Sequence, residues 1–284
     1  MNISIDKEKC AGCGHCATVC PSFVLHKQMN EESKRWDIET KNVDMCIGCG
    51  HCVMVCKTGA ISHEKFANKH IRPVDKNLLP SPESVMELMR SRRSNRTITD
   101  KEIPDEWLNM IKEAAWCAPT AENSRNIQLR MITDINIIQN IENKVMNFFM
   151  NLVKPLQLRP VKALLSPFLK TLYRQAEELG MMNDLRKQGK RPATVNAKAI
   201  LLITAPKDSR FGYQDSNLAY QNASLMAQAL GLTQIYLGFV QTAFGMMGTK
   251  KTANILGIDK NQKVFAIMAI GIPSFSYPNC IENF

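Results

Sequence analysis

C-A-G-C-G-H-C-A-T-V-C (residues 10–20) and C-I-G-C-G-H-C-V-M-V-C (residues 46–56) are two copies of one pattern. Each spaces four cysteines with gaps of two, two and three residues. They are Cys10, Cys13, Cys16 and Cys20 in the first copy, and Cys46, Cys49, Cys52 and Cys56 in the second. The copies lie 36 positions apart, and only two of the chain's 10 cysteines fall outside them.

Thiolates at these spacings suit a cubane iron–sulfur cluster, which needs four soft ligands converging from different directions. Two-residue gaps wrap three cysteines around one corner. The fourth, three residues on, faces away and serves the other cluster. The expected ligand sets are Cys10, Cys13, Cys16 and Cys56 for one [4Fe–4S] cluster, and Cys46, Cys49, Cys52 and Cys20 for the other. Pro21 follows Cys20, as the pattern expects, while Lys57 takes that place in the second copy. Gly12, Gly14, Gly48 and Gly50 let main-chain N–H groups approach the sulfurs. His15 and His51 are read as surface residues of the loops, not as ligands. Zinc sites favour paired C-x-x-C units, and a disulfide framework suits a small secreted domain. With no leader ahead of Cys10, a cytoplasmic location in a reducing compartment is expected.

The formal charge of +10 overstates the basic character of the assembled protein. Residues 1–65 balance eight basic against eight acidic side chains, so the excess lies in the remaining, roughly 220-residue part. Eight thiolates around two oxidised cores add about −4. No aromatic-studded basic module accompanies the charge, so nucleic acid is not an expected partner. No run of 18 apolar residues occurs, which gives no candidate transmembrane segment.

The expected domains are a cluster-binding domain at 1–65, a linker at 66–82 marked by Pro73, Pro80 and Pro82, and a second domain at 83–284. Ser81 reads as a helix N-cap, with Pro82 in the first turn and Val85, Met86, Leu88 and Met89 along the helix. A helix over 104–117 places Trp107, Leu108, Ile111 and Ala115 on one face. Residues 127–133, 199–205 and 263–270 read as strands, the last two apolar enough to be central. A helix over 215–231 stops at Gly231 and leads into the short strand T-Q-I-Y-L-G. The fold class is α+β, with a central sheet flanked by helices in the second domain.

Residues 90–96 read R-S-R-R-S-N-R. Clustered arginines repel one another and make no core, but they suit a phosphate through forked, permanently charged donors. A solvated basic turn is the other reading. Residues 118–123, A-P-T-A-E-N, add a stiff turn whose Thr120 and Asn123 can hydrogen-bond a polar heterocycle.

The first pattern resembles bacterial two-cluster ferredoxins, and the later segments together resemble the FMN-dependent nitroreductase family over about residues 84–275. The resemblance implies that Arg92, Arg93, Ser94 and Arg96 hold the FMN phosphate. It implies that Pro119, Thr120, Ala121 and Asn123 approach the isoalloxazine from a partner subunit, and that Leu237 and Gly238 form the turn beside the flavin ring. The stretch Ala269–Pro273 resembles the closing strand. Arg125 and Asn126 stand where many members have Gln-Pro, and nothing after Lys263 is Lys or Arg, although members often place a basic residue there for the phosphate. The family is generally homodimeric.

Residues 141–192 carry ten basic against four acidic side chains and are interrupted by Pro155, Pro160 and Pro167. They read as a substrate-selecting lid with Phe148, Phe149, Phe168 and Tyr173 as its apolar surface, as dimer-packing helices, or as a membrane-surface helix. Met181, Met182, Met246 and Met247 read as core or interface filler. Cys117 reads as a buried small apolar residue, and Cys280 carries no motif.

The expected enzyme passes electrons from a ferredoxin or other low-potential donor through two clusters to FMN, then to a small organic acceptor of the nitro, quinone or enone class. No catalytic acid or base is expected on the protein. Two other readings are a redox-sensing or relay protein without small-molecule turnover, and an NAD(P)H-driven reductase with the clusters as electron outlet.

Overall fold

The computed structural model describes residues 1–67, 71–165 and 168–281. The chain divides into two compact units, Met1–Pro80 with Glu122–Ser124, and Ser81–Ala121 with Arg125–Phe284. Part of the expected linker and Pro167 lie outside the described residues.

In the first unit β1 (Ile3–Ile5) pairs antiparallel with β4 (Ile61–His63), and β2 (Leu25–Asn30) forms a hairpin with β3 (Arg35–Thr40). Two short helices, α1 (His15–Thr18) and α2 (His51–Val55), each start after a glycine in the left-handed region, Gly14 at φ 74° and Gly50 at φ 78°. A side chain with a Cβ is strained in that conformation, so the cysteine loops turn into their helices at glycine. The repeat is structural as well as sequential. Val24 N–H donates to Cys20 Sγ, and its repeat mate Ala60 N–H donates to Cys56 Sγ, both at 3.3 Å. A small core of Ile3, Val24, Leu25, Ile38, Val53 and Ile61 also buries Cys16 and Cys52.

The second unit is built on a four-stranded antiparallel sheet of β5 (Gln128–Ile132), β6 (Ala199–Pro206), β7 (Thr233–Tyr236) and β8 (Gln262–Gly271), in the order β5-β6-β8-β7. Alternation on β6 feeds two cores. Ala199, Leu201, Ile203 and Ala205 face α4 (Asp105–Trp116) and α8 (Gly212–Ala229), while Ile200 and Leu202 face α5 (Ile135–Val153), α9 (Gly238–Met247) and α10 (Thr249–Leu256). Burial on both faces is why β6 and β8 read as unbroken apolar runs. Ser81 caps α3 (Pro82–Ser91) by accepting from Ser84 N–H at 3.2 Å. The α3 helix buries no residue, and Met86 and Met89 are exposed.

Residues 141–192 form the end of α5, a 3-10 turn (Lys154–Gln157) that takes up Pro155, α6 (Arg159–Leu165) and α7 (Lys170–Lys187). Tyr173 is buried and lines no open surface of this chain, Phe148 and Phe149 are half-buried against the core with Phe148 also lining an open groove beside Lys144 and Lys251, and Phe168 is 82% exposed. Met181 and Met246 are exposed on this chain and so are not core filler, whereas Met182 and Met247 pack against the core. Cys117 is exposed at the C-terminal end of α4, because its position falls on the helix's solvent side after buried Ala115. Buried Glu142 on α5 accepts from Ala193 N–H, Thr194 N–H and Thr194 Oγ1 at 2.8–3.1 Å, pinning the loop before β6 where Val195 and Asn196 have φ 47° and 55°.

Leu202 sits in the doubly covered centre of the sheet. Leu202→Ala is expected to cost about 2–5 kcal/mol in urea denaturation, and exposed Met181→Ala to stay within about 0.5 kcal/mol. Equal midpoints for the two variants would remove Leu202 from the core.

Candidate functional site

Two cavities lie in the first unit. One is lined by Cys10, Cys13, Cys16 and Cys56 with Ile5, Ile38 and Ile61. The other, smaller one is lined by Cys20, Cys46, Cys49 and Cys52 with Ile3, Val24 and His63. All ten cysteines are free thiols. Among the described residues no three such side chains converge on a point that would hold a single metal ion. The thiols ring a volume instead, which is the donor arrangement that a polynuclear cluster requires.

Burial raises the Cys16 thiol above its ordinary value, and Cys10, Cys13 and Cys56 add to the rise as neighbouring like charges. Burial pushes Cys52 up to about 11, with Cys49, Cys20 and Cys46 as its neighbours. At Cys56 burial also acts upward, but hydrogen bonds from the Thr58 hydroxyl and from main-chain N–H groups including Ala60 outweigh it and lower the value. Thiolates crowded in this way need a cationic core to offset them, so loading metal releases protons.

Side chains outside the repeat shape the rings. Arg35 donates from Nη2 to the Cys10 carbonyl at 2.7 Å and from Nε to the Ala11 carbonyl at 3.2 Å. A Cβ at Gly12 would lie 2.8 Å from the Arg35 Cβ, and one at Gly48 2.8 Å from the Lys65 Cδ, so each loop lies under a cationic side chain. Gly48 N–H donates to Cys46 Sγ at 3.4 Å. Buried His63 places Nε2 3.5 Å from the same sulfur. Burial holds its imidazole below the ordinary value. His15 and His51 are exposed.

In the second unit Arg92 ends α3 with extended backbone, and Arg92, Arg93 and Ser94 are half-buried while Arg96 is exposed. The loop is fastened by Asn95, which is buried. Its Nδ2 donates to the Phe275 carbonyl at 2.6 Å, and its Oδ1 accepts from Thr97 N–H at 3.0 Å and Thr97 Oγ1 at 2.7 Å. Thr99 N–H donates to the Ile272 carbonyl at 2.9 Å and Ser274 N–H to the Thr97 carbonyl at 2.8 Å, so the tail of β8 runs alongside the arginine loop. Burial raises the Tyr220 phenol, and Arg92 opposes the rise from nearby. Tyr220 packs at 4.6 Å on Tyr236, two residues before Gly238. Leu237 is buried, with its N–H on the Ile267 carbonyl at 3.0 Å, and Gly238 opens α9. Phe149 stacks at 4.3 Å on Phe239.

The turn after α4 is strained. Glu122, Asn123 and Arg125 have φ of 54°, 51° and 50°, a region costing of order 1–3 kcal/mol for a residue other than glycine. Glu122 and Asn123 belong to the first unit, where Asn123 Nδ2 donates to the carbonyls of Ile47 at 3.2 Å and Gly48 at 2.8 Å, while the supports of Ala121 and Arg125 lie in the second. Asp215, buried in the first turn of α8, accepts from Ala121 N–H at 3.0 Å. Arg125 N–H donates to Thr120 Oγ1 at 3.1 Å, and Arg125 Nη1 donates to the carbonyls of Trp116 at 2.7 Å and Ala118 at 3.1 Å. A guanidinium at a helix C-terminus also meets the negative end of the dipole. Asp215, Asn95, Arg35 and His63 were not singled out by sequence. For Asp215 the available signal was a carboxylate at the start of a predicted helix.

Asp215→Ala leaves the half-buried Ala121 N–H without an acceptor and is expected to destabilise the second unit by about 1–3 kcal/mol. Asp215→Asn, which retains a carbonyl oxygen, is expected to lose less. Thermal denaturation of both variants with flavin bound checks the order, and equal loss would deny the carboxylate its role at the turn.

The sequence model of the nitroreductase family matches residues 89–272, and that of a 4Fe–4S dicluster domain matches residues 2–57. No curated protein sequence matches the chain significantly. Among solved structures, an FMN-bound nitroreductase from Desulfitobacterium hafniense aligns with TM-score 0.52 at 17% identity, over 70% of this chain and 93% of its own. An FMN-bound nitroreductase from Bacteroides fragilis gives 0.51 at 18% identity, over 70% and 94%. An FMN-dependent nitroreductase from Clostridium difficile gives 0.51 at 18% identity, over 72% and 97%. At these identities the likeness is one of fold. With arginine loop, strained turn and closing strand all inside the matched stretch, the chain belongs to the nitroreductase family, as a flavin-dependent oxidoreductase that carries a 4Fe–4S ferredoxin-like domain at its N-terminal end.

Proposed function

We propose that this oxidoreductase passes electrons from a low-potential donor, a ferredoxin or its equivalent, through two [4Fe–4S] clusters to FMN and on to a small organic acceptor of the nitro, quinone or enone class. The observation that carries the reading is the partition of eight cysteines into two rings, each taking one cysteine from the other copy of the motif. Cys10, Cys13, Cys16 and Cys56 hold one cluster, and Cys46, Cys49, Cys52 and Cys20 the other. The cluster domain spans 1–65, a linker 66–82, and the FMN-binding domain 83–284. Cysteine ligands of this kind suit a reducing, cytoplasmic setting. No helix among the described residues is long and apolar enough to cross a membrane.

Arg92, Arg93, Ser94 and Arg96 hold the FMN phosphate, because forked charged donors and a hydroxyl match its oxygens. Asn95 keeps that loop in place from beneath. The tail after β8 spends its main chain on Thr97, Thr99 and Asn95 and brings no cation, so the early arginines carry the phosphate charge. Leu237 and Gly238 lie beside the flavin ring. A Cβ on Gly238 would meet nothing nearer than Tyr236 Cδ1 at 3.9 Å, so the space beside this main chain is open to a planar ligand. Pro119, Thr120, Ala121 and Asn123 reach the flavin of a second subunit in a homodimer. FMN, when bound, supplies both one-electron and two-electron chemistry, so the protein's part is to place it and keep water away.

Arg92→Ala with Arg93→Ala is expected to weaken FMN binding at least tenfold by fluorescence titration; unchanged affinity would remove both from the phosphate site. Anaerobic holoprotein mixed separately with reduced ferredoxin, NADH and NADPH is expected to bleach rapidly with ferredoxin alone. Rapid bleaching by NADH or NADPH would reverse the direction and make the clusters an outlet. Turnover with a protein acceptor but with no small molecule would make the chain a relay.

A further inference from the structure

The two cysteine copies are nearly identical, yet the rings they build differ at one buried side chain. His63 lies on β4, and the 36-residue repeat places Lys27 of β2 at the same position in the other half. Lys27 is exposed, bonds Thr18 Oγ1 at 3.0 Å and lies over the Trp36 ring at 5.0 Å. His63 is buried, with Nε2 3.5 Å from Cys46 Sγ. Its tautomer is set by a second contact. Lys65 N–H donates to His63 Nδ1 at 3.2 Å, so Nδ1 is the acceptor and the proton sits on Nε2, facing the sulfur. Phe66, with ring centroid 5.0 Å away, packs beside the imidazole.

We infer that the Nε2–H of His63 makes the cluster of Cys20, Cys46, Cys49 and Cys52 the more readily reduced of the two. Adding an electron places negative charge on the cluster sulfurs, and a donor aimed at one of them stabilises that charge. Main-chain donors act on both rings: Gly48 N–H adds to Cys46 Sγ on the His63 side, and the N–H groups of Thr58 and Ile61 act on Cys56 Sγ on the other. The N–H groups of Val24 and Ala60 serve one ring each at the same distance. Each loop lies under one exposed cation, Arg35 or Lys65. On the other ring the Thr58 hydroxyl lies 3.6 Å from Cys56 Sγ, but Thr58 is exposed and water competes for it. A buried bond acts in a lower dielectric and counts for more. An electron entering the pair therefore rests on the His63 side.

The inference rests on both rings holding clusters, and iron analysis tests that separately. About eight iron atoms per chain supports the reading, and about four would sink it whatever His63 does. The full chain with clusters and flavin restored is titrated anaerobically, with each cluster followed by electron paramagnetic resonance. His63→Phe keeps an aromatic ring against Phe66 and removes the donor. It is expected to weaken electron binding at the upper-potential cluster about tenfold, which is about 59 mV for one electron, and to leave the lower midpoint in place. His63→Gln, whose amide nitrogen can stand where Nε2 stands, is expected to hold the upper midpoint near that of the unaltered protein. Thr58→Val is expected to move only the lower midpoint. The inference is overturned if His63→Phe moves neither midpoint or moves the lower one. It also fails if His63→Gln shifts as far as His63→Phe, or if Thr58→Val and His63→Phe move the same signal.

Discussion

The register between β6 and β8 is the constraint on which the second unit depends. Ala199 pairs with Ile270 and Leu202 with Ile267, with a bulge between Ile203 and Thr204. Because side chains alternate, a slip of one residue would exchange the α4–α8 core for the α5–α9–α10 core along the whole strand. Each site element is fastened to this pair. The arginine loop runs beside the tail of β8, Leu237 bonds a β8 carbonyl, and α8, which carries Asp215 and Tyr220, packs on the same strands. The flavin site proposed above draws on segments more than a hundred residues apart, and such a centre is what holds them together, since no short loop could.

The first unit faces a different physical problem. Its core is small, and burial and crowding both oppose the charged form of Cys16 and Cys52. Folding and metal loading are then one process, in which a cationic core offsets what the thiolates cost each other. Main-chain donors from Val24, Gly48 and Ala60 cover part of that cost without adding charge, which explains why glycine flanks the ligands and why the loops turn tightly into α1 and α2.

What was legible in the sequence is what short-range physics writes there. Cysteine spacing gave a cluster chemistry, doubly buried strands appeared as apolar runs, and Ser81 with Pro82 marked the start of α3. The start of α8 at Gly212, three residues before its expected place, had no cap to mark it, since no side chain closes that end. Contacts that join distant segments left no local trace. Asn95 meets Phe275 across 180 residues and Ala121 meets Asp215 across 94. Amphipathic pattern misled at Cys117 because composition states hydrophobicity and not which side of a helix is covered. The burial of Tyr173 within its own chain's core followed from the same gap.

The strained turn after α4 shows how a nitroreductase-type unit can depart from the usual sequence of its relatives and keep its shape. Where members often carry Gln-Pro, this chain carries Arg125 and Asn126, and proline's fixed φ of about −65° is unavailable to hold the backbone. Arg125, which stands at the glutamine's place one residue before the proline's, has φ 50° and offsets its cost with two hydrogen bonds to carbonyls at the end of α4 and one from its own N–H to Thr120. A charged hydrogen bond contributes about 1.5–3 kcal/mol, comparable to the strain of one left-handed residue. The strain of Arg125, as distinct from that of Glu122 and Asn123, is therefore offset by its own hydrogen bonds. The stiffness a proline ring would give at position 126 comes here from the guanidinium of Arg125 bound to a helix terminus, beside Pro119, Thr120 and Ala121.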